Sequence, residues 1–92
     1  MNVKEAVAKA RSYFQEVFAN DGGERATLEE VWFEPLQHRW YVTFGLPRRN
    51  TSSILDPSGL LTITNFKVVE LSDPDGQVLS VKVRKLEPTS NA

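Results

Sequence analysis

Cysteine is absent from the 92 residues, and histidine occurs once. The first lack excludes disulfide staples, thiolate nucleophiles and zinc–thiolate centres. The second leaves neutral-pH acid–base chemistry a single imidazole, His38. Charge of one sign is lacking as well: 11 Lys and Arg stand against 12 Asp and Glu, a formal −1. Long-range attraction to nucleic acid or anionic lipid is therefore not a property of the whole chain. No apolar run approaches the ~20 residues that span a bilayer. The opening Met1-Asn2-Val3-Lys4-Glu5-Ala6 carries charge where an export leader has an apolar core. These absences predict a cytoplasmic protein without metal or cofactor. What remains is ordinary globular composition, 40% hydrophobic and 25% charged. It suffices for one domain, expected over 1–86, with one modest core and a polar tail at 87–92.

The hydrophobic period is 3.6 at first. Val3, Val7, Ala10, Phe14 and Val17 form one stripe, widened by Ala6, Tyr13 and Phe18, which predicts a helix over 3–19. Asn2 is placed to cap it, with Glu5 three residues on to reach back. Asn20-Asp21-Gly22-Gly23 ends it. The period then becomes two. Residues 27–34 carry β-formers, Pro35-Leu36-Gln37-His38 reads as a turn, and 39–46 alternate with Trp40, Val42, Phe44 and Leu46 on one side. Residues 47–60 break the pattern and read as a long loop. Strands are expected at 61–72 and 77–86, joined by Asp73-Pro74-Asp75-Gly76, a strong turn signal. Phe66 and Val68 compete with Val69 and Leu71 for the inner face of the third strand, which suggests a bulge. The fold class is α+β: one N-terminal helix packed across a four-stranded antiparallel sheet made of two hairpins. The helix is expected to cover Trp40, Val42, Phe44, Val81 and Val83, and the second sheet face is left open.

This order of elements resembles the PepSY-like domains of the cystatin-like α+β group. The likeness spans about residues 2–86. It rests on the helix opening Lys4-Glu5-Ala6-Val7-Ala8-Lys9-Ala10, the strand Trp40-Tyr41-Val42-Thr43-Phe44, and the closing hairpin from Lys67 through Asp73-Pro74-Asp75-Gly76-Gln77-Val78 to Val81. The chain is expected to depart from the pattern in a long middle loop, in lacking a leader and in standing without a fused enzyme. The resemblance implies a non-catalytic module that binds or restrains a partner protein, often a peptidase.

The residues themselves show no catalytic constellation. His38 lies in a turn with no serine beside it, and reads as a solvated residue. Glu30 and Glu34 would share a strand face roughly 13 Å apart, too far for a retaining carboxylate pair. Asp73 and Asp75 lack the later ligands of a calcium loop. An enzyme would need a deep pocket between helix and sheet with Tyr13, Glu34 or His38 inside it. The open sheet face is the better candidate. It is expected to carry Trp32, Arg39, Tyr41, Thr43, Lys67, Val69, Ser80, Lys82 and Arg84, with Arg48 and Arg49 nearby at the start of the long loop. Aromatic rings among cations suit a protein-binding hot spot. They also suit a single-stranded nucleic-acid platform, where bases stack and cations meet phosphate. The composite expectation is a regulatory or inhibitory protein-binding module, with nucleic-acid binding as the alternative and a homodimer as a further possibility.

Overall fold

The computed structural model describes residues 1–49 and 62–84. Its elements are helix α1 (Val3–Val17) and strands β1 (Thr27–Glu34), β2 (Arg39–Arg49), β3 (Thr62–Ser72) and β4 (Val78–Arg84). Two single turns of 3₁₀ helix, Ala19–Asp21 and Gly23–Arg25, link α1 to β1. The sheet is antiparallel in the order β1-β2-β3-β4, with the helix packed on one face. The fold class is therefore the expected one.

α1 begins as its sequence requires. The Asn2 side chain accepts from the Glu5 backbone N–H at 2.8 Å, and the Glu5 carboxylate accepts from the Asn2 N–H at 2.8 Å. Two of the helix's orphan donors are thereby satisfied. The buried line is Ala6, Ala10 and Phe14, whereas Val3 and Val17 are exposed. Two alanines on this line let the helix backbone approach the sheet closely. Phe14 then stacks on Phe44 with ring centroids 4.9 Å apart. The helix stops at Phe18, whose carbonyl accepts from the Asp21 and Gly23 N–H groups. Gly22 has φ 83, a conformation glycine adopts at little cost. The expected end at 19 thus falls in the first 3₁₀ turn.

The core lies between α1 and the inner sheet face: Trp40, Val42, Phe44 and Leu46 from β2, Val69 and Leu71 from β3, and Ala26 from the link. Val31, Phe33, Val78 and Val81 pack around it. Asp73 accepts from the Trp40 indole N–H at 3.0 Å, so the buried ring has a partner for its polar atom. The β3–β4 turn forms at Asp73-Pro74-Asp75-Gly76, with Pro74 in cis and Gly76 at φ 72. There Asp75 accepts from the Ser72 hydroxyl, which holds the Asp75 carboxyl below its ordinary range.

Several expectations are corrected. Residues 47–49 are strand, not loop: Pro47, Arg48 and Arg49 pair with Thr64, Ile63 and Thr62. β1 pairs with β2 only as far as Gly45, so beyond it β2 has one described neighbour, and a proline there need not break a second ladder. Residues 50–60 of the expected loop, and the tail from 87, lie outside the described residues. Strand three has no bulge against β2. The irregularities fall at Glu29 in β1 and at Leu79 in β4, where the register shifts. Val83 is not covered by the helix; it is 64% exposed.

Candidate interaction face

Alternation puts one side chain of each successive pair on the sheet face away from α1. The register fixes which ones. Trp32, Tyr41, Glu70 and Ser80 form one cross-strand row, and Glu30, Thr43, Val68 and Lys82 form the next. Arg39 and Ser72 extend the face at one end, and Phe66 and Arg84 at the other. Trp32, Arg39, Tyr41, Thr43, Ser80, Lys82 and Arg84 thus share the expected face.

Lys67 and Val69 do not. Val69 pairs with Val42 and is fully buried in the core. Lys67 pairs with Phe44 on the helix side, and its ammonium sits 5.3 Å from the centroid of the Phe18 ring. The ring face attracts the cation and lets a charged residue occupy an inward position near the end of the core. Arg48 and Arg49 lie in β2, and their side chains fall outside the described residues.

The centre of the open face is aromatic. Trp32 and Tyr41 are stacked, with centroids 4.8 Å apart and planes 20° apart. Trp32 keeps 49% of its surface exposed. Phe66 and Val68, both half-buried, add apolar area toward the other end. Thr43 is buried between them, 2% exposed, with its hydroxyl taking a hydrogen bond from Arg84 at 3.2 Å.

The charges on this face are matched. Arg39 donates to one Glu70 oxygen at 2.6 Å, and the Ser80 hydroxyl donates to the other at 2.9 Å. Burial pushes the Glu70 carboxyl up, but the bonds from Ser80 and Arg39 and the charges of Arg39 and Lys82 outweigh it, so its pKa is lowered. Arg84 spans the sheet to form an ion pair with Glu30. Glu34 accepts from the Leu36 N–H at 2.8 Å. Arg39, Lys82 and Arg84 therefore face Glu30, Glu34 and Glu70, a local balance of zero among the described residues. Glu70 was not singled out from the sequence. Its role depends on β3 lying beside β2, which no local pattern states.

Tyr13, Glu34 and His38 do not converge on a pocket. Tyr13 is on α1, Glu34 is on the opposite sheet face, and His38 is exposed in the β1–β2 turn at φ 55, its ring edge-on to Phe33. Among the described residues no three His, Asp or Glu side chains group as metal ligands. No described helix is long and apolar enough to cross a membrane. No protein-family model, curated protein or solved structure matches this chain.

Proposed function

We propose that the chain is a non-catalytic module of the cytoplasm that binds a partner protein through its open sheet face and thereby regulates or inhibits that partner. The observation that carries the reading is the half-exposed Trp32 stacked on Tyr41 in a face whose charges cancel. A stacked aromatic pair bordered by the Arg39–Glu70 and Arg84–Glu30 ion pairs has the makeup of an interface hot spot. The fitting partner presents an apolar or aromatic patch with a polar, nearly neutral rim. A polyanion fits less well. Phosphate contact needs free cations, and Arg39 and Arg84 are already engaged by Glu70 and Glu30. The resemblance to PepSY-like domains points the same way, toward restraint of an enzyme.

The test is cross-linking in cell extract with wild type, Trp32→Arg and, as a control, Leu36→Arg at the turn tip. Proteins captured by wild type and by the Leu36 variant should be lost with Trp32→Arg. An unchanged set in all three refutes the role of this face. Retention of a single-stranded oligonucleotide by wild type at low salt would favour the nucleic-acid alternative instead.

A further inference from the structure

We propose that β4 is a docking edge for a second copy of this chain: the two β4 strands pair antiparallel about a two-fold axis at Val81 and join the two sheets into one. Among the described residues nothing pairs with the outer side of β4, where the sheet ends. An unpaired strand edge is a template for another strand.

The helix leaves this edge uncovered. On one flank of α1, Arg11 donates to the Ala26 carbonyl at 3.2 Å and lies over the Phe44 ring, toward β1. On the other flank the Lys9 stem packs over Gly76 in the β3–β4 turn. Tyr13 and Val17 follow Lys9 at intervals of four on that same flank. They are 37% and 48% exposed, and on the helix side of β4, Leu79 and Val83 are 42% and 64% exposed. Leu79 and Val83, two partly uncovered apolar side chains of β4 itself, thus lie along the free edge.

The residue order of β4 matches itself. About an axis at Val81, Leu79 meets Val83 of the second copy, and Val81 meets its own equivalent, all on the helix side. On the other side Ser80 meets Lys82 of the second copy, so no two cations are opposed. That lysine also comes within reach of Glu70, which is paired with Ser80 one strand behind. Shifting the axis to Lys82 would set the two lysines against each other, which is unfavourable. The other edge is acidic: β1 carries Glu29, Glu30 and Glu34, and like charges there oppose self-pairing. Each edge strand has one register break, and that of β4, at Leu79, lies at the end of the stretch that pairs. A symmetric β4 contact closes as a dimer, whereas pairing β4 with β1 of another copy would leave free edges and grow.

Sedimentation equilibrium over a concentration series tests this on the full chain. Wild type should form dimers and no larger species. The L79K/V83K variant, which opposes like charges twice, should be monomeric, while L79K/V83E, which opposes unlike charges in the same register, should recover the dimer. Both pairs sit at exposed positions, and circular dichroism checks that the variants fold. Cysteine cross-linking gives a second readout, because the chain has no cysteine of its own. Oxidised Val81→Cys should form a covalent dimer, and Leu79→Cys alone should not. A wild type monomeric throughout, growth beyond dimers, or an L79K/V83K variant that stays dimeric overturns the proposal. None of these results bears on the binding role of Trp32, which is read separately.

Discussion

Glu70 has the most defined set of partners on the open face. Its two oxygens accept from different strands, Arg39 of β2 and Ser80 of β4, so one carboxylate ties three strands together. The pairing that adjacency in a hairpin suggests, Arg39 with Glu34, gives way to one between residues 31 positions apart. The lowered Glu70 pKa makes a signed prediction. The folded state holds the ionised form more tightly than the unfolded chain does. Its contribution is fully present above the unfolded glutamate value of about 4.3 and is lost as pH falls through the lower folded value. Thermal unfolding followed from neutral pH to about pH 3 should show wild type losing more stability than Glu70→Gln over that acid range. Some acid sensitivity should remain in the variant, because Asp75 is lowered too. Parallel curves for the two proteins would show that the Glu70 network contributes nothing.

At the scale of elements, legibility follows from how local the cause is. The Asn2 and Glu5 cap and the alternation through Trp40, Val42, Phe44 and Leu46 act within a few residues, and both appear as read. The register of β3 does not announce itself, because Val68 and Val69 offer equal apolar candidates for the inner face. Packing against Val42 selects Val69. Lys67 misleads for a related reason: its inward place depends on the Phe18 ring, contributed by a distant turn. Pro47, Arg48 and Arg49 read as a break, yet β3 supplies a partner that the local sequence cannot reveal. The turn from α1 to β1 gives a prediction at this scale. Gly23 is buried, and a Cβ there would lie 2.8 Å from the Phe18 carbonyl oxygen, a backbone atom that cannot swing aside. Gly23→Ala should therefore cost about 1–3 kcal/mol, the range for overpacking a tight site. Urea unfolding measures it, and an unchanged midpoint would mean that the turn yields freely.

The described residues form two layers, and a single helix supplies one of them. Among the described residues its buried contact with the sheet runs along the line Ala6, Ala10 and Phe14. Phe14 carries the greatest share of that contact. It is fully buried, stacked on Phe44 at 4.9 Å and close to Phe18 at 4.6 Å. Truncating a buried phenylalanine costs about 3–5 kcal/mol. A domain of this size has about 5–14 kcal/mol in total, taking 0.05–0.15 kcal/mol per residue. Phe14→Ala should lower the melting temperature by more than about 10 °C, and it should do so by loosening the helix from a sheet whose own ladders are intact. Hydrogen exchange separates this from uniform weakening, with α1 amides losing protection before those in the middle of β2 and β3. Val17→Ala, on the same helix but half-exposed, should shift stability by no more than about 0.5 kcal/mol. Equal losses at the two positions would mean that the helix is held by its whole length and not by Phe14.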